Sequence, residues 1–334
     1  MRRWVRRLRW LVPAHAVGAA LAFLPLPVYA IGPGSAVEVV PLIRVSGHPE
    51  HRPGGRLVLT TISFRRLSAL GLVAAWLDPA WTVVPREELF APGETEREEE
   101  RRSRSEMDQS KVDAAALVLS RLAGYPEEHR PGALVERVTP GCPAARELAP
   151  GDVIVEVDGV RVRDRRDASR AIRRAAPGEP IRFVARSGGE LRRFTLARTR
   201  CVPGEPPVVG VVLIENLPFA VRMSSGAIGG PSAGLAWALG LYDLLTPGDL
   251  TGGRVVAVTG TIDLEGNVGG VGGIAAKARA AAEAGADLFL VPRADLAEAR
   301  AAGVEGVRLV PVSTFDQAVA ALGGEEAGRA ATGR

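Results

Sequence analysis

The chain has 334 residues, 46% of them hydrophobic, with 42 basic and 38 acidic side chains and a net charge of +4. Five of the basic residues (Arg2, Arg3, Arg6, Arg7 and Arg9) fall in the first nine positions without an acid. The remainder is close to neutral, so the pI near 9.5 is no argument for a nucleic-acid binder. Two cysteines exclude a disulfide-rich framework and a cysteine-rich zinc site, and only two of the basic residues, Lys111 and Lys277, are lysines.

Trp10–Ile31 runs for 22 residues without a charge, long enough to cross ~30 Å of hydrocarbon as a helix. The arginines before it place residues 1–9 in the cytoplasm. With 10–31 as an uncleaved anchor, the rest of the chain would lie outside a cytoplasmic membrane crossed once. Val28-Tyr29-Ala30 supports a competing reading, a removed signal peptide, but the apolar run exceeds the roughly 7–15 residues of a signal core.

Residues 32–124 form an N-terminal segment. Arg56–Ser63 alternates as a strand does, and an apolar stretch follows at Leu67–Leu77. Glu94–Glu106, dense in both signs, reads as a solvated helix face or a linker. Met107–Leu122 has the apolar spacing of an amphipathic helix, with Gly124 as its stop.

Residues 125–200 change texture. Short strands alternate with a Pro140-Gly141 turn and Asp158-Gly159, Asp167–Ala175 reads as a helix, and Ser187-Gly188-Gly189 joins two strands as a hairpin. From 201 to 323 strands and helices alternate as in an α/β domain, beginning with a strand at Val208–Ile214 and a helix at Pro231–Leu245. Residues 324–334 are a Gly/Ala-rich tail. Cys142 and Cys201 could pair, but spacing alone does not report proximity, and two separate thiols fit the sequence equally well.

Two glycine-rich stretches in the α/β part open helices. Gly230-Pro231-Ser232-Ala233-Gly234 has the spacing of a hydrolase nucleophile elbow, whose triad requires a later histidine. The four histidines (His15, His48, His51 and His129) all precede Ser232. Gly270-Val271-Gly272-Gly273-Ile274-Ala275 is a weak dinucleotide signal with no acid at the right distance. A nucleotide-binding Walker lysine follows Gly and precedes Ser or Thr. Lys111 lies between Ser110 and Val112, and Lys277 between Ala276 and Ala278. The sequence therefore implies no cofactor, no ATP and no metal.

Together the stretches suggest a Ser–Lys dyad. A serine hydroxyl needs a base, and lysine serves as one when burial lowers its pKa; arginine cannot. Lys277 stands among alanines in the first turn of a helix, where the macrodipole also disfavours a cation. Ser232 begins a helix whose backbone N–H groups could hold an oxyanion, which makes Gly230 and Ala233 the candidate supports. Lys111 reads as a surface lysine beside Asp108, because neighbouring helical residues do not face each other.

Two resemblances extend this reading. Gly132-Ala133-Leu134-Val135, Pro140-Gly141-Cys142-Pro143-Ala144-Ala145 and Gly151-Asp152-Val153-Ile154 resemble the PDZ domains of bacterial extracytoplasmic proteases. That implies a mostly β domain gripping a peptide's C-terminus near Gly132, Ala133 and Leu134. Pro231-Ser232-Ala233-Gly234, Val258-Thr259-Gly260-Thr261-Ile262 and Gly273–Lys277 resemble the proteolytic domain of Lon-type proteases, with Thr261 where that family has Glu. The implied fold is α/β, of the type of ribosomal protein S5 domain 2. The implied site is Ser232, Lys277 and Thr259, and a homo-oligomeric ring is implied by the same likeness. The whole is similar to small membrane-anchored bacterial proteins that join a PDZ domain to a Lon-like domain without an ATPase. The expected function is ATP-independent serine endopeptidase action on protein substrates; the competing expectation is a non-catalytic peptide-binding adaptor. Arg56–Ser63 and Met107–Leu122 resemble the start of the Lon fold, which implies a PDZ domain inserted into the protease.

Overall fold

The structure is a computed structural model describing residues 22–201 and 204–323. In chain order it begins with β1 (Pro25–Glu38), β2 (Ile43–Ser46), β3 (Arg56–Ser68), α1 (Ala69–Leu77), β4 (Thr82–Pro85) and α2 (Glu96–Leu122). The middle holds β5 (Arg130–Val138), β6 (Val153–Val157), β7 (Val160–Arg161), α3 (Arg165–Arg174), β8 (Pro180–Ser187), β9 (Glu190–Ala197) and β10 (Val211–Asn216). Then come β11 (Ala220–Met223), α4 (Gly234–Leu245), β12 (Val255–Val258), β13 (Thr261–Ile262), β14 (Val268–Gly269) and α5 (Ile274–Glu283). The last elements are β15 (Leu288–Pro292), α6 (Leu296–Ala301), β16 (Arg308–Val312) and α7 (Phe315–Ala321).

The membrane helix expected over residues 10–31 is corrected. Its first part, with residues 1–9, lies outside the described residues. From Pro25 the segment is strand, hydrogen-bonded to β3 on one side and β4 on the other. Pro25 and Pro27 oppose a helix there, since proline lacks the N–H that the helical ladder needs. Among the described residues no helix is long and apolar enough to cross a membrane. The single-pass, extracytoplasmic placement rested on that helix and goes with it.

The main sheet runs β16-β15-β12-β3-β1-β4. β12 pairs in parallel with β3 and with β15, while β1 is antiparallel to both of its neighbours. Strands from residues 25–85 and from 255–312 thus share one sheet. Alternation sorts β3 and β12 onto two faces. Leu57, Leu59, Val256 and Val258 enter the large core with α2 and α4, whereas Val58 and Ala257 pack against Ile274, Ala278 and Ala281 of α5.

The second sheet, β10-β5-β6-β8-β9, carries α3 on one face. Its core is Ala133, Val135, Ile154, Ile181, Phe183 and Ile172 with their neighbours. Leu134 and Val153 on the other face join the large core, so the two units share apolar packing. The hairpin expected at residues 187–189 forms with Gly188 and Gly189 at φ +58° and +106°, as a two-residue turn requires. Cys142 and Cys201 form a disulfide, tying the loop after β5 to the segment after β9.

One element differs from the sequence reading and another extends it. The strand assigned to the start of the 201–323 part is β10, which pairs with β5 and turns Val211 and Leu213 into the core of the second sheet. The charge run is the first half of one continuous 27-residue helix, opened by a Thr95–Glu98 capping box.

Candidate active site

Ser232 sits in a short 3-10 turn, Pro231–Ala233, that leads directly into α4. Lys277 occupies the first turn of α5, after Gly273 in the left-handed region at φ +68°. The fold brings them together: Lys277 Nζ donates to Ser232 Oγ at 2.7 Å, across 45 residues of chain. Thr259, just past β12 and fully buried, links both. Its hydroxyl accepts from Lys277 Nζ at 3.2 Å and donates to the Ser232 carbonyl at 3.2 Å.

Lys277 is 2% exposed. Burial pushes its pKa down to about 8, with Asp295 pulling the other way. An amine with that pKa is partly neutral near pH 7, which is what a base for serine requires. Lys111, the other lysine, pairs with Asp108 at 3.0 Å and takes no part in the site.

The expected oxyanion supports divide. Ala233 stays buried at the head of α4, where the helix dipole favours negative charge. Gly230 is corrected as a donor: its N–H already donates to the Ser103 carbonyl at 2.7 Å. The left-handed φ of +83° at Gly230 turns the chain into the serine loop instead.

Two residues of α2 escaped the sequence reading. Ser103 holds Gly230 through its carbonyl, and Ser110 Oγ donates to the Pro231 carbonyl at 3.2 Å. They are seven apart on one helix, hence on one face, but no local motif marks them as loop supports. Gly234 completes the arrangement. A Cβ there would stand 2.8 Å from Ser110 Oγ and 2.9 Å from the Ile262 nitrogen. The site opens into a cleft of about 890 Å³ bordered by Tyr29, Phe64, Phe90 and Met107 and by Glu96, Glu99 and Glu100 of α2.

The expected peptide loop is corrected. Ala133 pairs with Ile154 on one side and Glu215 on the other, and Leu134 pairs with Val153 and Ile214. Gly132 donates its N–H to the Arg163 carbonyl. β5 is an interior strand with no edge to offer; on this side of the sheet the terminal strand is β10, beside α3.

Residues 213–322 match the Lon protease (S16) C-terminal proteolytic domain, and residues 134–187 match the PDZ domain. The chain joins a PDZ domain to a Lon-type proteolytic domain. The Lon protease of Trichlorobacter lovleyi is 37% identical over 102 residues, covering 29% of this chain and 12% of that protein. Lon protease 2 of Bacillus subtilis is 36% identical over 92 residues, covering 27% and 16%. The chain therefore spans less than a fifth of the length of the curated relatives it matches. Among solved structures, the PDZ domain of the SdrC-like protein Lin2157 from Listeria innocua aligns with 25% of this chain and 92% of its own, at 23% identity and a TM-score of 0.23.

Proposed function

We propose that this chain is an ATP-independent serine endopeptidase whose nucleophile is Ser232 and whose general base is Lys277. The observation that carries this reading is the 2.7 Å contact between Lys277 Nζ and Ser232 Oγ with the lysine buried. Ser232 Oγ attacks the peptide carbonyl as its proton passes to Lys277. The ammonium then protonates the leaving amine, and neutral Lys277 activates the water that releases the acyl group. Thr259 orients Lys277. The backbone N–H of Ala233 is the candidate donor to the developing oxyanion, since those of Gly234 and Leu235 already donate to the Pro231 and Gly260 carbonyls. Independence from ATP rests on the flanks of Lys277 and Lys111, neither of which forms a Walker motif.

The PDZ domain binds peptides or proteins, and in this reading it selects substrate by adding an extended segment to the open edge of β10, next to α3. The PDZ domain lies between two parts of one protease fold, entered after α2 and left before β11, which supports an inserted rather than a tandem arrangement. The test is cleavage of an unfolded protein such as casein without nucleotide, with a serine-reactive covalent probe alongside. Cleavage and labelling that are both lost in Ser232→Ala and in Lys277→Arg are expected, and Lys111→Arg stays active. Persistent activity in Lys277→Arg defeats the base assignment. Failure of the wild type to cleave or label favours a peptide-binding adaptor.

A further inference from the structure

Among the described residues, three buried side chains keep a polar atom without a hydrogen-bond partner: Thr60, Asp113 and Asp243. Thr60 borders the same cleft as Ser232 and Lys277, and it is 4% exposed. A buried hydroxyl left unpaired destabilises the fold, so its position in this cleft calls for a partner during the reaction.

The sheet register locates that partner. Val258 at the end of β12 pairs with Leu59, and Thr259 and Thr60 are the residues that follow them, Thr259 just beyond the strand but still donating its N–H to Leu290 of β15. Val58 and Ala257 face α5, and strand alternation returns Thr60 and Thr259 to that face. Lys277 reaches the site from α5 and already bonds Thr259. An ammonium has three donors, and those of Lys277 have two partners here, Ser232 Oγ and Thr259 Oγ1.

We propose that Thr60 is a positioning residue whose hydroxyl accepts the N–H of Lys277 that faces neither Ser232 nor Thr259, directly or across one water, and holds it most strongly once the lysine has taken the proton of Ser232. This rests on the dyad reading above. Before the proton moves, the lone pair of the neutral amine faces the Ser232 hydroxyl and one N–H bonds Thr259, so its other N–H offers Thr60 only a weak, uncharged donor. After it moves, the ammonium, itself 2% exposed, is held on three sides at the floor of the cleft. The other charges bearing on Lys277 are few. Asp295 acts on it from the start of α6, and Arg66 of β3 and Glu96, Glu99, Glu100 and Arg104 of α2 border the cleft.

The experiment follows kcat against pH for the full chain, normalised to active sites titrated with the serine probe, in wild type, Thr60→Val and Thr60→Ser. Thr60→Val keeps the shape without the hydroxyl. Its plateau should fall about tenfold or more, the worth of a hydrogen bond to a charged group. Its ascending limb should move to lower pH by roughly one unit, because the ammonium has lost an acceptor. Thr60→Ser should restore both. An unchanged plateau overturns the proposal, as does a lowered plateau with an unmoved limb, which marks a packing role, or a serine variant that restores neither. Misfolding lowers the titre and leaves the limb in place, so it is read separately. If Lys277→Arg retains activity, the dyad itself fails. If that variant is dead while Thr60→Val keeps its limb, only the role of Thr60 fails.

Discussion

Lys277 shows how one residue converts burial into chemistry. The desolvation that leaves its amine partly neutral near pH 7, as the proposed base role requires, also burdens the fold. Its pKa lies near 8 in the folded chain against 10.5 in an ordinary lysine. The unfolded chain then binds more protons between those values, and stability rises with pH across that window. The contribution is fully recovered above about pH 10.5 and lost below about pH 8, a span of roughly 3 kcal/mol. Unfolding midpoints should therefore rise from pH 8 to 10.5 relative to Lys277→Met, and the methionine variant should be the more stable protein at pH 7. A wild type that tracks the variant throughout would show that Lys277 is charged and solvated. This residue was legible in the sequence, because arginine was the default cation and could not serve as a base. Thr60 was not: a threonine in an alternating strand reads as strand propensity until its neighbours are known.

At the scale of elements, the serine loop is shaped from outside itself. α2 supplies Ser103 and Ser110 to Gly230 and Pro231, and β13 closes on Gly234 through Ile262. Gly234 is needed for close approach, not for an unusual backbone, since its φ of −57° is ordinary helix. Gly234→Ala would push a methyl into the Ser110 hydroxyl and the Ile262 backbone, which can give little. We expect a loss of about 1–3 kcal/mol in stability and at least a tenfold fall in kcat, read by chemical denaturation and casein cleavage. A fully active variant would mean that α4 can shift away from β13. The Pro-Ser-Ala-Gly motif was visible in the sequence, but its buttress was hidden in a charge run. Glu96, Glu99 and Glu100 look like solvent-facing residues, and only the docking of α2 beside β1 turns them towards the cleft.

For the molecule as a whole, the main sheet depends on strands from both ends of the described chain. β12 has β3 on one flank and β15 on the other, and its Val256 and Val258 are fully buried. A fragment spanning 201–334 lacks β1, β3 and β4 together with α2. It would expose the β12 edge and one side of the core. It should be insoluble or molten, with no probe labelling, by circular dichroism and labelling at Ser232. A folded, labelled fragment would show that the Lon-type domain is autonomous and that the N-terminal strands are accessory.

The amino-acid sequence by itself singled out the pair that the fold brings together: which serine, which lysine, and the absence of a histidine after the serine. These follow from residue types and short spacings, which survive any folding. It also determined local elements whose rules are local, such as the Gly188-Gly189 hairpin and most helices of the C-terminal part. Only the tertiary structure decided that Pro25–Glu38 is a paired strand, that β10 completes the PDZ sheet, and that β5 has no open edge. Each of these depends on which strand lies alongside. Hydrogen bonds between strands join residues far apart in the chain, and neither charge-free runs nor glycine motifs record the neighbour that completes them.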